Sequence, residues 1–269
     1  MTFDPGRRLC LLFEAGAARY AVEATSVVEV SPPDAEGDKL RGVFELKDLS
    51  LLLGGPPEVR PGLAVVLDVS PTLAVRVRRV VEVADVAPAP FFQLPPGLGT
   101  MLSGLVRGAV LHGGRLYLEL VPDALVRPGW ERASSPMKPL VVLEAAPERA
   151  LVFESQGTRY GLPLSLVLQV IPGGESFSPL PSPAGPIAGL FAYHQALWPI
   201  YSVPGLMGQE ARCEALFVLA ELAGQQVGLC AEKVIGVKRG FVPEDAPGEF
   251  RTAESGTRTL FLDFQRMFS

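Results

Sequence analysis

Two stretches of this chain share one pattern of apolar and polar positions. Leu11 to Val30, LLFEAGAARYAVEATSVVEV, is an apolar run, a small-residue turn at Ala15-Gly16-Ala17, and a second run with apolar residues at close spacing. Leu151 to Val170, LVFESQGTRYGLPLSLVLQV, repeats it with Gln156-Gly157-Thr158 at the turn. Two apolar runs around a short glycine-containing turn predict a β-hairpin. The stretches superpose without a gap at a shift of 140 positions (153 − 13 = 140), setting Phe153 on Phe13, Glu154 on Glu14, Arg159 on Arg19, Tyr160 on Tyr20, Val167 on Val27 and Val170 on Val30. A Phe-Glu and an Arg-Tyr dipeptide kept in register mark an internal duplication, and a repeat governs architecture before any single element does.

The first copy continues in short elements. Leu9 to Val30 is the first hairpin, with Arg19-Tyr20 opening its return strand, and Ser31 to Lys39 is a polar turn. In Leu40 to Gly54, Gly42 allows close backbone packing and Asp48 to Leu52 resembles one capped helical turn. After a breaker loop, Gly55 to Pro61, two strands follow, Leu63 to Val69 and Leu73 to Val83, joined at Ser70-Pro71-Thr72. Strict alternation in the second would put Val75, Val77 and Arg79 on one side and Arg76, Arg78 and Val80 on the other. Both sides then carry an arginine, and a bulge is one way out. Ala87 to Pro96 is Pro-rich and irregular. Leu102 to Leu111 and Arg115 to Val121 form a last hairpin around His112-Gly113-Gly114, followed by a short turn at Pro122 to Leu125.

Arg127 to Arg149 carries Pro, Ser and charge, so the domain boundary falls there: 1–132 for the first domain, 133–147 for a linker, 148–269 for the second. The Pro139 to Leu143 run is a strand that could dock on either half. The later matches drift. Gly42 pairs with Gly189 at a shift of 147, Gly54 with Gly208 at 154, and Val80–Val83 with Val234–Val237 at 154. The first copy is therefore shorter twice. One loss lies in the Pro-rich loop (Ser178-Pro-Leu-Pro-Ser-Pro in the second copy), the other between Lys47 and Asp48, opposite Gln195 to Tyr201. The second copy ends sooner, Val121 matching Asp263 at 142.

Composition narrows the class. The chain has 269 residues, enough for two domains. Its 28 Gly and 26 Pro favour many short strands over long helices. A net charge of −5 argues against a nucleic-acid or anionic-membrane surface, which would need a basic face. Three cysteines, Cys10, Cys213 and Cys230, without a CxxC pair provide neither a disulfide framework nor a metal box, as in reduced cytosolic thiols. No apolar run reaches the ~20 residues that span a bilayer, and the N-terminus lacks a signal-peptide core. The expectation is a cytoplasmic protein without cofactor or metal. His112 and His194 lack metal-ligand spacing, and no nucleophile-elbow or phosphate-loop motif is present.

Together the blocks resemble the CheW family of chemotaxis coupling proteins, present twice. Phe153 to Pro163 is similar to the family's Phe-x6-Tyr-x-φ-Pro hairpin. Its Val-x-Glu-Val segment is matched by Val27 to Val30, with an amide for the acid in Val167 to Val170. Ser178 to Pro181 resembles the Ser/Thr-Pro loop. Gly189 to Val203 resembles the Gly-φ-φ-Asn-φ-Arg-Gly-x-φ-φ-Pro-φ-φ-Asp-φ block. Ala231 to Val237 resembles the φ-Val-Asp strand, and Leu260 to Asp263 the Leu-φ-φ-Leu-Asp ending.

The resemblance implies an all-β fold of two tandem CheW-like domains, each a pair of five-stranded SH3-like β-barrels on a shared apolar core, with no catalytic site. It implies binding to a CheA-type histidine kinase and to the cytoplasmic tips of chemoreceptors, hence a place at membrane-associated receptor arrays without membrane insertion. The chain departs from the pattern at three points. The middle-block arginine corresponds to Lys47 in the first copy and His194 in the second. The Val-Asp aspartate becomes Arg78 in the first copy and Glu232 in the second. The first copy lacks the strand that Leu197 to Ile200 supplies in the second.

The candidate partner-binding residues are Val27, Glu29, Gly42, Lys47 and Val80 in the first copy, and Val167, Gln169, Gly189, His194, Glu232 and Val234 in the second. Each has a plain alternative. His194 reads more simply as a solvated loop residue and His112 as a turn residue. Glu29 and Glu232 read as a solvated face, Trp198 and Cys230 as core, and the arginines of Val75 to Val80 as a charged strand edge. The reading is a non-enzymatic adaptor. Its rivals are a scaffold that has lost kinase coupling and acts in motility, polarity or assembly, and an enzyme built on a β-barrel.

Overall fold

The computed structural model describes residues 8–34, 39–58, 62–96, 98, 102, 104–126, 141–180, 185–209, 213, 216–253 and 256–268. Linker residues 133–140, loop residues 181–184 and parts of the turns predicted at 31–39 and 55–61 lie outside them.

In the first copy β1 (Leu9–Ala15) and β2 (Ala18–Glu23) are the expected hairpin. They are followed by β3 (Val27–Ser31), β4 (Lys39–Leu40), β5 (Phe44–Asp48), the helical turn α1 (Leu49–Leu52), β6 (Leu63–Leu67), β7 (Leu73–Val77), β8 (Arg79–Asp85), β9 (Phe91–Gln93), β10 (Val106–His112), β11 (Arg115–Leu120) and α2 (Pro122–Leu125). They build a six-stranded sheet, β8-β1-β2-β11-β10-β9, and a five-stranded one, β3-β6-β7-β5-β4.

The second copy runs β12 (Arg149–Ser155), β13 (Thr158–Pro163), β14 (Val167–Pro172), β15 (Phe177–Pro179), β16 (Ile187–Tyr193), β17 (Ala196–Tyr201), α3 (Val203–Leu206), β18 (Leu216–Leu222), β19 (Gln225–Ala231), β20 (Lys233–Arg239), β21 (Phe241–Pro243), β22 (Glu249–Thr252), β23 (Arg258–Phe261) and α4 (Phe264–Phe268). Its sheets are β20-β12-β13-β23-β22-β21 and β14-β18-β19-β17-β16-β15. Exchange each strand for its counterpart and the two hairpin sheets have the same order. The fold is all-β, as expected, but three of the four sheets carry six strands rather than five.

The duplication extends to irregular features. Phe13 and Tyr20 hold their ring centroids 5.9 Å apart at 31°, and Phe153 and Tyr160 also 5.9 Å apart at 34°. The register of β3 on β6 shifts between Val27 and Glu29, and that of β14 on β18 between Val167 and Gln169. The residue left over at each bulge is a hydrophobe pushed into solvent, Val28 at 62 % exposure and Leu168 at 53 %.

The arginine-rich stretch is two strands, which corrects the single strand expected over Leu73 to Val83. β7 ends at Val77 in one sheet and β8 begins at Arg79 in the other. Arg78 hands the chain across, as Glu232 does between β19 and β20. The change of sheet resets the alternation, so Val75 and Val77 are buried while Arg78 and Arg79 face water. A bulge is present as well, where β8 meets β1 between Leu12 and Phe13.

A second correction concerns the strand expected to be missing from the first copy. Leu46 and Lys47 of β5 run parallel to Ala74 and Val75, as Ile200 and Tyr201 of β17 run parallel to Gly228 and Leu229. The first copy therefore keeps the inner strand, and among the described residues the two-residue β4 stands in place of β16 with no counterpart of β15 beside it. A deletion at the outer edge leaves one pairing fewer, whereas loss of the inner strand would strip β7 of its partner and open the sheet.

Clustering by contact divides the chain into two compact units: Met1–Ser135 with Glu175–Ala184 and Leu190–Leu197, and Pro136–Gly174 with Gly185–Gly189 and Trp198–Ser269. Within the first, Arg19 donates to the Glu175 carbonyl at 3.0 Å and to its carboxylate at 2.5 Å, Arg115 lies 3.2 Å from that carboxylate, and the Leu116 N–H donates to the same carbonyl at 3.1 Å. One cluster of this unit joins Cys10, Leu12, Ala21, Ala84, Val86, Val110 and Tyr117.

Within the second unit one core serves both sheets. Leu151, Phe153, Tyr160 and Leu162 meet Val218, Leu222, Val227 and Leu229, closed by Phe264, Met267 and Phe268 of α4. This is the shared apolar core that the resemblance implies. Burying that many side chains at about 1.5–3 kcal/mol each is the main force holding the two sheets together. Of the run expected at 139–143, the described residues 141–143 lie with this unit: Val142 bridges Leu262, and Val141 and Val142 pack on the core.

Candidate functional site

The turn between β4 and β5 is the most fully built polar feature among the candidate positions. Arg41 and Gly42 adopt positive φ, 55° and 65°. The Asp34 carboxylate accepts from both of their N–H groups, at 2.9 and 2.7 Å. An Asp side chain holding two successive backbone donors fixes a tight turn. The Arg41 side chain then reaches Glu29 on β3, donating to Oε1 at 2.7 Å. Exposed Val28, Val30 and Val43 lie on β3 and beside the turn, Val43 at 78 % exposure. A Cβ added at Gly42 would meet no atom within 4 Å, so its role is the left-handed turn and not the close packing expected from sequence.

In the second copy the matching turn is His194-Gln195, with φ of 46° and 62°. This alters the alignment of the middle block. By the two left-handed positions of the turn, Arg41-Gly42 matches His194-Gln195, while strand register sets Lys47 opposite Tyr201. The copies thus differ as sets. The first carries Glu29 with Arg41, and the second carries Gln169 and His194. His194 is exposed, with its ring centroid 4.0 Å from that of Tyr193, edge to face.

The reversal of charge at Arg78 and Glu232 has a local explanation. In the second copy Glu232 accepts from the Gly157 N–H of the β12–β13 turn at 3.4 Å. In the first copy Arg78 stands at that position, and Glu58 supplies the carboxylate: it accepts from the Gly16 N–H at 2.5 Å, and Arg78 lies 3.3 Å from its other oxygen. The hairpin turn keeps an acid on its glycine N–H in both copies. Glu58 is a residue the sequence reading passed over, because the loop that carries it has no counterpart motif.

The remaining candidates are spread out. Val27 and Val167 are half-buried at the first pairs of β3 and β14, opposite Leu67 and Ala220. Val80 and Val234 are half-buried opposite Phe13 and Phe153, and Val167 and Val234 pack on the same core cluster. Gly189 is buried in β16, and Lys47 is exposed on β5. Trp198 and Cys230 are core, as the plain reading held, and His112 ends β10 with Nε2 3.4 Å from Glu82. Among the described residues no group of three or more His, Cys, Asp or Glu could hold a metal ion, and no helix is long and apolar enough to cross a membrane.

One cluster was missed entirely. Glu119 of β11 is 1 % exposed, and its Oε1 accepts from both Arg8 and Arg107. Nothing in the local pattern of RLYLEL sets this acid apart from a surface residue.

Residues 149–256 match the family model described as the CheW-like domain. A similar solved structure is the scaffolding protein TtCheW from Thermoanaerobacter tengcongensis, at 18 % identity over 46 % of this chain and 94 % of that one, with a TM-score of 0.39. No curated protein matches the chain. The second copy, two β-sheets on one core, is thus similar to a CheW-like domain across residues 149–256.

Proposed function

We propose that the chain is a signalling adaptor of a chemosensory system with no catalytic step of its own, which binds a CheA-type histidine kinase, chemoreceptor tips, or both. The observation that carries this reading is the CheW-like match over 149–256, together with the recurrence of its hairpin-sheet order in the first copy. Two modules in one chain make a second contact effectively intramolecular, so weak individual contacts still join two partners. The exposed valines around the Arg41 turn supply apolar contact in the first copy, and Leu168 supplies it in the second.

The change from Glu29 to Gln169 and from Arg41 to His194 between the copies favours a narrower version, in which the first copy keeps the charged contact and the second has shifted to another partner or to scaffolding in motility, polarity or assembly. Titration calorimetry of the full chain against a kinase regulatory fragment and against a receptor-tip fragment tests both. Saturable binding of either fragment, weakened by Glu29→Lys, supports the adaptor reading with the first copy in contact. Binding that only His194→Glu weakens moves the contact to the second copy. Folded protein that binds neither fragment removes the coupling reading altogether.

A further inference from the structure

Glu175, in the turn before β15, is held where two strands of the first hairpin sheet begin to pair. β2 and β11 run parallel through Tyr20–Leu118 and Ala21–Glu119. Ahead of those pairs the Leu116 N–H of β11 donates to the Glu175 carbonyl at 3.1 Å. Arg19 of β2 donates to the same carbonyl at 3.0 Å and to the carboxylate at 2.5 Å, and Arg115 Nε lies 3.2 Å from that carboxylate. Ser176 Oγ in turn donates to the Gly114 carbonyl at 3.2 Å. Backbone hydrogen bonds combined with charged side-chain contacts are the means by which a sheet takes up an extended acidic segment.

The second copy shows the corresponding arginine on a different partner. Arg159 stands at the place of Arg19 (159 − 19 = 140), and each faces a glutamate across its hairpin, Glu14 opposite Arg19 and Glu154 opposite Arg159. Arg159 Nε lies 3.4 Å from Glu154. Arg19 is turned instead to Glu175, while Glu14 is held through Oε1 by Arg79 at 2.7 Å. By the geometry of its counterpart, Arg19 has two alternative carboxylates, and leaving Glu175 does not strand its charge. Glu175 is 59 % exposed, so water and salt weaken its ion pairs. Gly173 and Gly174 precede it, and glycine backbone changes course at little steric cost.

We propose that the slot formed by Arg19, Arg115 and the Leu116 N–H is a docking site for an acidic extended segment of a partner protein, and that Glu175 closes it in cis as an autoinhibitory plug. The plug mimics the partner, since the carbonyl and carboxylate of one residue engage both strands. Being tethered, it competes at high effective concentration. Once it leaves, Arg19 has the arrangement of Arg159 open to it, and a partner that binds this open state draws the population toward it. The slot shares no residue with the Glu29–Arg41 turn or with His194, so it stands or falls apart from the adaptor reading.

The probe is a fluorescein-labelled peptide with the sequence of residues 173–178, Gly-Gly-Glu-Ser-Phe-Ser, titrated with the full chain and followed by anisotropy. In the wild type the plug competes and binding is weak. Glu175→Ala and Glu175→Arg, which remove or reverse the charge of the plug, are each expected to raise peptide affinity about tenfold or more. Adding Arg19→Gln to Glu175→Ala should cancel that gain, and a peptide with Gln in place of Glu should bind the opened variants about tenfold more weakly. Melting curves of the variants show that each is folded. Equal binding by the wild type and both opened variants overturns the proposal. So does an absence of saturable binding to either opened variant, or an affinity indifferent to Arg19→Gln.

Discussion

Arg41 joins Glu29 at 2.7 Å across the β4–β5 turn, and Asp34 holds the backbone of that turn in place from below the arginine. The ion pair is largely exposed, and such pairs contribute about 0–1 kcal/mol. Arg41→Ala should therefore lower Tm by no more than about 4 °C. If the turn is a contact surface, the same substitution should weaken capture of a kinase regulatory fragment by roughly tenfold, as loss of a charged hydrogen bond does. Scanning fluorimetry beside calorimetry separates the two effects. A large drop in Tm with unchanged binding would make the pair a structural brace only.

Glu58 and Arg78 form a compensated exchange for Glu232. Glu58 has a side chain 5 % exposed and serves both Gly16 and Arg78, so Glu58→Ala leaves a buried N–H unsatisfied and should cost about 1–3 kcal/mol. Glu232→Ala, which removes one long and exposed bond, should cost under about 1 kcal/mol. Arg78→Glu should destabilise by itself through repulsion of Glu58 and recover when Glu58→Gln is added. Urea unfolding of the four variants measures the coupling.

Gly161 lies against the ring of Phe261, where an added Cβ would sit 2.3 Å from a ring carbon. Gly161→Ala should cost about 1–3 kcal/mol by overpacking. The same methyl is already present at Ala21 in the first copy, where the opposite residue is Glu119. Phe261→Ala in the Gly161→Ala background should show less than additive loss, since the removed ring is what the methyl strikes. Additive losses in urea unfolding would contradict that geometry.

Alkaline pH should unfold the chain earlier than its surface charge suggests. Burial raises the Tyr201 hydroxyl to about 12 and the Tyr20 hydroxyl further, and burial together with the Glu119 charge raises the Cys10 thiol to about 11. Each folded value lies above the unfolded one, so the neutral form is favoured in the fold. The stability these groups confer is complete below about pH 9 and is lost as pH rises through about 9–12. Urea midpoints taken across that range should fall steadily, and the native thiol of Cys10 should resist alkylation at about pH 8, where little thiolate is present. A flat profile would show that these groups are solvated.

The duplication, the strand-rich class, the leading hairpins and the capped turn at Asp48 were legible in the chain because each depends on neighbours within a few residues. Asp48 accepts from the Leu51 N–H at 3.0 Å, as the pattern indicated. Local spacing could not locate the change of sheet at Arg78, since a run of alternating residues looks the same whether it stays in one sheet or crosses to another. Nor could it set Lys47 opposite Tyr201. That equivalence comes from a parallel pairing with β7, more than 25 positions away in sequence.

Glu119 makes the same point for chemistry. Its burial, its two arginines and its free oxygen arise only when β1, β10 and β11 close on one another, bringing together residues up to 111 positions apart. What the sequence determined by itself was the alternation and the repeat, which set the hairpins and the class. Tertiary structure alone decided which copy plugged its interior with phenylalanine and which buried a glutamate against two arginines there, because burial depends on every strand that closes over a residue.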